Sequence, residues 1–261
     1  MRRAMSLFLL GALAAGALAA DRPAGYLPKG AVDLTTVLPA APVEGDIRYE
    51  ADRDVYRDMR PLIGTPRWEL AKNDVDYATP ATLRDFSCAT GLQLTPGAYP
   101  ATTRLIERSG ADTGNASGAA KQRYRRARPY RIDDGETCQS KHELADSYDY
   151  PSGHTTWGWT VGLVLAELMP DRATPILARA RAYGESRLVC RVHNMSAVEA
   201  GRLGATVTMV SVRATPAYQA DLTSARRELA AAIRHGAASP DAASCQATQP
   251  LIDRSVLDGL K

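Results

Sequence analysis

From Ile47 to Arg234 the chain reads as one helical segment after another, broken by proline and glycine. No stretch gives a convincing strand; TVTMVSV is rich in β-branched residues but lies inside a longer helical pattern. Helices of this kind bury their apolar stripes against one another. The pattern therefore predicts an all-α fold, a single helical-bundle domain over residues 46–235. In DIRYEADRDVYRDMR, Tyr49, Val55, Tyr56 and Met59 fall near one face, and Pro61 ends the run. TPRWELAKNDV and TPATLRDFSCATG each open on Thr-Pro, a helix cap followed by proline at the first helical position. Gly91 closes the second. Further helices are expected at 97–109, 114–126, 152–169, 171–186, 196–213 and 216–234.

The ends of the chain read differently. MRRAMSLFLLGALAAGALA has two arginines, an apolar run from Leu7 to Leu18 and small residues at Ala17 and Ala19. That is the pattern of a signal peptide over residues 1–20, cleaved after Ala19 or Ala20, and it predicts a periplasmic or secreted protein. The apolar run is shorter than the roughly 20 residues a spanning helix needs. Residues 21–45 are rich in Pro, Gly and Ala and read as an extended N-terminal arm. Residues 236–261 are small and polar, a C-terminal tail expected to be loosely held except at Cys245.

Of the 32 basic residues, Arg2 and Arg3 leave with the leader, and 29 acidic residues oppose the rest. So balanced a chain gives no case for a nucleic-acid or membrane-surface partner. No membrane span is expected either, since WGWTVGLVLAELM is broken by Glu167 and followed by Pro170. Cys88, Cys138, Cys190 and Cys245 are an even set in an exported chain, which predicts two disulfides with three pairings open. No two lie within four residues of each other, so they do not have zinc-ligand spacing.

Three short stretches carry chemistry. KQRYRRARP places a run of cations from Lys121 to Arg128 just before Pro129, where a helix must end. Such a run is ordinarily a solvated face, but Arg128 at a helix terminus can be aimed into a cleft. PSGH, residues 151–154, precedes a strongly apolar helix. The unpaired N–H groups of that helix start, with the positive end of the dipole behind them, form an oxyanion cradle that Gly153 lets an anion approach. His154 sits in its first turn. In SRLVCRVHNMSAVEAGR, Arg187 offers a planar fork for bidentate phosphate contact, and His193 follows six residues on. Only four histidines exist, His142, His154, His193 and His235, and two of them fall beside these anion-type groups.

Together these are K-x6-R-P, P-S-G-H and S-R-x5-H. From about residue 38 to 235 the chain resembles the bacterial class A non-specific acid phosphatases, the soluble branch of the type 2 phosphatidic acid phosphatase and vanadium haloperoxidase superfamily. The resemblance implies that fold and a metal-independent acid phosphatase acting on small phosphomonoesters, with inorganic phosphate as product and no cofactor. It implies that Lys121, Arg128 and Arg187 hold the phosphate oxygens and that Ser152 and Gly153 complete the cradle. His193 would attack phosphorus and carry a phosphohistidine. His154 would protonate the leaving alkoxide and then activate water. The convergence of these segments favours Cys138–Cys190 with Cys88–Cys245. A haloperoxidase is disfavoured by the match to the short phosphatase branch, and a lipid phosphatase by the lack of spanning helices. The oligomeric state, a homo-oligomer included, stays open.

One position departs from the pattern. The family continues S-R-x5-H-x3-D, with the Asp orienting the nucleophilic histidine, and here the residue four after His193 is Ala197. Losing such a partner can cost up to roughly four orders of magnitude, by analogy with the serine-protease triad. Glu199 is no substitute if Ser196 and Glu199 form an S-x-x-E capping box. The alternative reading is therefore a phosphate- or phosphoester-binding protein with impaired turnover. On this view Ala197→Asp raises the rate.

Overall fold

The computed structural model describes residues 23–258 and Leu260. Among them are nine α-helices and no strand. The helices are α1 (Ile47–Asp58), α2 (Pro66–Asn73), α3 (Thr79–Thr90), α4 (Pro100–Tyr124), α5 (Gly153–Leu168), α6 (Ala173–Val189), α7 (Met195–Arg213), α8 (Pro216–Arg234) and α9 (Ala242–Asp253). The leader read at residues 1–20 lies outside the described residues.

Helix α5 is the hub. Its sequence, GHTTWGWTVGLVLAEL, is apolar on nearly every side, so it must be surrounded, and α4, α6 and α7 pack around it. Close approach needs small residues at the contacts. A Cβ on Gly162 would stand 2.5 Å from that of Ala180 on α6. The main core joins Leu83 and Phe86 of α3, Leu105 and Ile106 of α4, Val161 and Leu165 of α5, Tyr183 of α6, Met209 of α7 and Leu222 of α8. A second cluster joins Val55 of α1, Met59 just after it and Trp68 of α2 to Leu188, Val192 and Val198. A third joins Leu34 and Leu38 of the arm to Ala120, Tyr150 and Ala197. The end of α6 enters the second cluster through Leu188 and Val189, and the loop before α5 enters the third through Tyr150.

Thr65 caps α2 and Thr215 caps α8, each accepting a backbone N–H three residues on, with proline next. Gly91 ends α3 in the left-handed conformation, φ +77°. The two segments expected at 97–109 and 114–126 are one helix. Gly110 does not break it, because the glycine is there to admit Trp157, whose ring a Cβ would meet at 2.2 Å. The arm carries only a short 3-10 turn, Leu34–Thr36, yet it is strapped down: Asp112 accepts from the backbone N–H of Tyr26 (2.7 Å) and Leu27 (3.2 Å).

The tail differs from expectation. It forms α9, capped by Asp241, which accepts from Ser244 N–H at 2.7 Å. The helix is tied by Cys88–Cys245 and followed by Ser255, whose hydroxyl donates to Glu185 at 2.7 Å. Short polar residues hide this packing from a periodicity reading. The second disulfide is Cys138–Cys190, and both bonds pair as favoured. No described helix is long and apolar enough to cross a membrane.

Candidate active site

The basic run splits by burial. Helix α4 ends at Tyr124, and Arg125 turns the chain in the left-handed region, φ 48°. Beyond it the backbone is extended, so side chains alternate: Arg125 and Ala127 face out, Arg126 and Arg128 face in. Arg128 is buried and firmly anchored, with one Nη2 hydrogen left over. Its Nε and Nη2 donate to Ser147 O and Oγ (both 2.9 Å), and Nη1 donates to Val192 O (2.7 Å) and faces His193 Nε2 at 3.1 Å.

His193 follows the C-terminal turn of α6, where the carbonyl of Arg187 accepts from the N–H groups of both Val192 (3.2 Å) and His193 (3.3 Å). Its Nδ1 lies 2.9 Å from Asp149 Oδ1. A guanidinium can only donate, and a carboxylate can only accept. These two neighbours therefore set one tautomer: Nδ1 carries the proton and Nε2 presents its lone pair. Burial holds the ring's pKa well below the usual histidine value, and Arg128, Lys121, Arg187 and His154 add to the effect. The ring is neutral, with its basic nitrogen facing cations.

Asp149 was not singled out in the sequence. It is buried and gathers four donors. Oδ1 accepts from His193 Nδ1 and Asn194 N–H (3.2 Å); Oδ2 accepts from Asn194 Nδ2 (2.8 Å) and pairs with Arg126 Nη1 (3.4 Å). Burial raises its pKa, and Arg126, Asn194 and Arg128 pull it back. Arg126 in turn is held by Asp52 (2.8 Å) and by Ser196 Oγ (2.7 Å).

Ala197 and its surroundings correct the expected capping box. The cap residue of α7 is Asn194, not Ser196. Ser196 N–H is satisfied by Asp52 Oδ1 (2.8 Å), while Glu199 points to solvent. Ala197 is thus the third residue of α7 and is fully buried, so a carboxylate there would not sit at an exposed helix start.

Ser152 caps α5, its Oγ accepting from Thr155 N–H (3.4 Å), and its own N–H donates to Ala197 O (2.9 Å). The N–H groups of Gly153 and His154 have no partner among the described residues. Space around Gly153 is open, with nothing within 4 Å of where a Cβ would be. A Cβ on Gly201 of α7 would stand 2.7 Å from Ser152 O, so that glycine lets α7 close on the cradle. His154 Nε2 lies 3.0 Å from Val75 O, which forces the proton onto Nε2 and leaves Nδ1 for a ligand. Burial, then Arg187, holds its pKa well below the ordinary value.

Two cations remain. Arg187 is fully buried; Nη2 donates to Gln139 Oε1 at 2.6 Å, but Nε and Nη1 have no partner. Burial, then Arg128, lowers its pKa to about 9. Buried N–H groups on a cation are costly to leave unpaired, and two on one guanidinium suit a tetrahedral oxyanion. Lys121 donates to Tyr148 O at 2.8 Å. Burial, then Arg128, lowers its pKa to about 7. Lys121, His154 and His193 each feel the charge of Arg128 and Arg187, as groups gathered around one anion site would.

A consequence follows for protons. An unfolded lysine titrates near 10.4, so ligand-free protein gains stability as pH rises from about 7 towards that value. A bound oxyanion reverses this by recharging Lys121. Sulfate, which does not itself titrate near neutrality, should bind at pH 8 with uptake of up to about one proton. Calorimetry in two buffers of different ionisation enthalpy reads that uptake, and Lys121→Met should abolish it. A buffer-independent heat in the unaltered protein would refute the assignment.

All the residues read from the three motifs are brought together: Lys121, Arg128, Ser152, Gly153, His154, Arg187 and His193. Asp149, Asn194, Gln139, Arg126 and Asp52 were not foreseen; the one available hint was a carboxylate two residues before PSGH. Residues 110–220 match the PAP2 superfamily. The chain is 36% identical over 219 residues to an acid phosphatase of Zymomonas mobilis, the alignment covering 83% of each protein. It is 33% identical over 207 residues to a non-specific acid phosphatase of Salmonella typhimurium, covering 78% of this chain and 83% of that one. Against a non-specific acid phosphatase of Providencia stuartii it is 32% identical over 244 residues, covering 88% and 98%.

Proposed function

This chain belongs to the PAP2 superfamily, among its class A-like acid phosphatases, and from that footing we propose that it is an exported phosphomonoesterase working through a phosphohistidine. The observation that carries the mechanism is the unprotonated Nε2 of His193, which accepts from Arg128, in a site where Arg187 holds two unpartnered N–H groups.

The phosphoryl group sits with its oxygens on Arg187, Lys121, Arg128 and the N–H groups at the start of α5. His193 Nε2 attacks phosphorus as the ester P–O bond breaks, and charge spreads over the equatorial oxygens where the cations stabilise it. The leaving alkoxide takes a proton from His154 Nδ1. Water then attacks phosphorus, His154 accepts its proton, the N–P bond breaks and inorganic phosphate departs. His154 must be protonated for the first step, and its burial among cations keeps its pKa low until the substrate's negative charge raises it. Activity should therefore fall as pH rises, as should occupancy of the site once Lys121 loses its proton. The two disulfides support an oxidising location outside the cytoplasm.

The alternative, a phosphate- or phosphoester-binding protein with impaired turnover, rests on Ala197. A carboxylate already lies at His193 Nδ1, which removes that basis.

The purified protein should hydrolyse a generic aryl phosphate at an undiminished rate in excess chelator. Among the described residues no group of three or more His, Cys, Asp or Glu side chains is placed to hold a metal ion. Vanadate, which takes the five-coordinate geometry of the transferring phosphoryl group, should inhibit competitively and bind at least about 10²-fold more tightly than phosphate. Activity lost to chelator and restored by zinc or magnesium would overturn the reading.

A further inference from the structure

We infer that Asp149, in the loop before α5, is the positioning residue of His193 and does the work that Ala197, at the family's carboxylate position, has no group to do. The inference rests on the phosphatase reading and adds to it which group holds the nucleophile.

Three observations converge. The carboxylate contacts the correct nitrogen: Oδ1 lies 2.9 Å from Nδ1, opposite the Nε2 that faces Arg128. The carboxylate is itself immobilised. Asn194 donates to it twice, at 3.2 Å and 2.8 Å, and Arg126 approaches at 3.4 Å. The immobilising group is braced in turn, because Asp52 holds Arg126 at 2.8 Å and also binds the first turn of α7 through Ser196 N–H. A chain of contacts thus runs from α1 through the loop after α4 to the histidine. Such outer partners are what keep a ring within the narrow angular range a displacement at phosphorus needs.

The local chain path explains why position 149 can serve. Asp149 N–H donates to Arg126 O at 2.9 Å, and Ser152 N–H donates to Ala197 O at 2.9 Å. The loop is therefore pinned at one end to the Arg126 segment and at the other to α7. Between these pins Asp149 faces the turn that carries His193 and Asn194. Ala197 contributes its carbonyl to this arrangement, while its side chain packs with Leu34, Ala120 and Tyr150 in an apolar cluster.

Chemically, the Nδ1–H of His193 becomes more acidic as Nε2 bonds to phosphorus. A fixed carboxylate at that proton stabilises the positive ring and prevents the other tautomer, in which Nε2 would carry the hydrogen and could not attack. In Asp149→Asn the shape is kept, but one of the two oxygens becomes an NH₂. Four donors then converge on a single acceptor, and a tautomer with Nε2–H becomes available to His193.

The test compares Asp149→Asn, Asp149→Ala and Ala197→Asp with the unaltered protein. Both Asp149 variants should lose about 10²- to 10⁴-fold in kcat while KM changes by less than about threefold, because the phosphate-holding cations remain. Nitrogen NMR of the imidazoles, which needs no turnover, should show a single Nδ1–H tautomer for His193 in the unaltered protein and a mixture in Asp149→Asn. Ala197→Asp should not raise turnover, since Nδ1–H is already engaged. The inference is overturned if the Asp149 variants keep kcat within threefold, if the tautomer does not change, or if Ala197→Asp accelerates the enzyme tenfold or more. Failure of the phosphatase reading would look different: the unaltered protein would not turn over, whatever its tautomer.

Discussion

His193→Ala should reduce turnover by about five to six orders of magnitude, the scale on which loss of an enzyme's nucleophile is felt. Its unprotonated Nε2 lies against Arg128 Nη1, and His154, whose ring is tied by Nε2 to Val75 O, has its free Nδ1 assigned to the leaving group. The variant should still fold, since the turn holding position 193 is fixed by backbone bonds to Arg187 O. It should still bind phosphate, because Lys121, Arg128 and Arg187 are untouched. Quenching the unaltered enzyme during turnover of labelled substrate should trap acid-labile phosphate on the protein, and His193→Ala should trap none. Residual turnover above 1% of the original, in a variant shown to be folded, would mean that another group attacks phosphorus.

Arg187→Met should show two effects of opposite sign. Turnover should fall by about 10³- to 10⁵-fold, the range seen when an arginine that stabilises a transferring phosphoryl group is withheld. Thermal stability without ligand should hold or rise. Arg187 is fully buried with two unpartnered N–H groups, and its lowered pKa reports the same cost of keeping a charge away from water. Replacing buried ionic groups by apolar ones of similar volume can stabilise by about 1–4 kcal/mol. For a chain of this size each kcal/mol moves Tm by about 2–4 °C. Phosphate should raise the Tm of the original protein and leave that of Arg187→Met nearly unchanged, because stabilisation by a ligand scales with its affinity. A large drop in Tm of the ligand-free variant would mean that Arg187 is chiefly structural. The predicted pairing is a strained site maintained for catalysis at the expense of the resting fold.

What the sequence disclosed about this site depended on how far apart the interacting residues lie along the chain. Ser152 as a cap, Gly153 as an open approach and His154 in the first turn all follow from neighbours within four residues. Thr65-Pro66 and Thr215-Pro216 announced their helices for the same reason. Helix α4 reads as two segments because a glycine inside a helix, such as Gly110, looks the same whether it breaks the helix or admits a neighbour such as Trp157, and only packing decides. The tail helix α9 was hidden because its anchor is a disulfide to a residue 157 positions away. The carboxylate at His193 was hidden for a kindred reason. A local pattern directs the eye to position 197, whereas the group that meets the ring is 44 residues upstream. Ser196 and Glu199 matched a capping box, but Asp52 of α1 reached Ser196 N–H instead.

The contact between the loop before α5 and the turn before α7 also bears on what keeps the site aligned. The nucleophile and its carboxylate sit on segments 44 residues apart, so neither local segment aligns them by itself. Their alignment is a property of how the loop before α5 is packed on α7, where Ser152 N–H meets Ala197 O. Whatever loosens that packing loosens the ring that must face phosphorus.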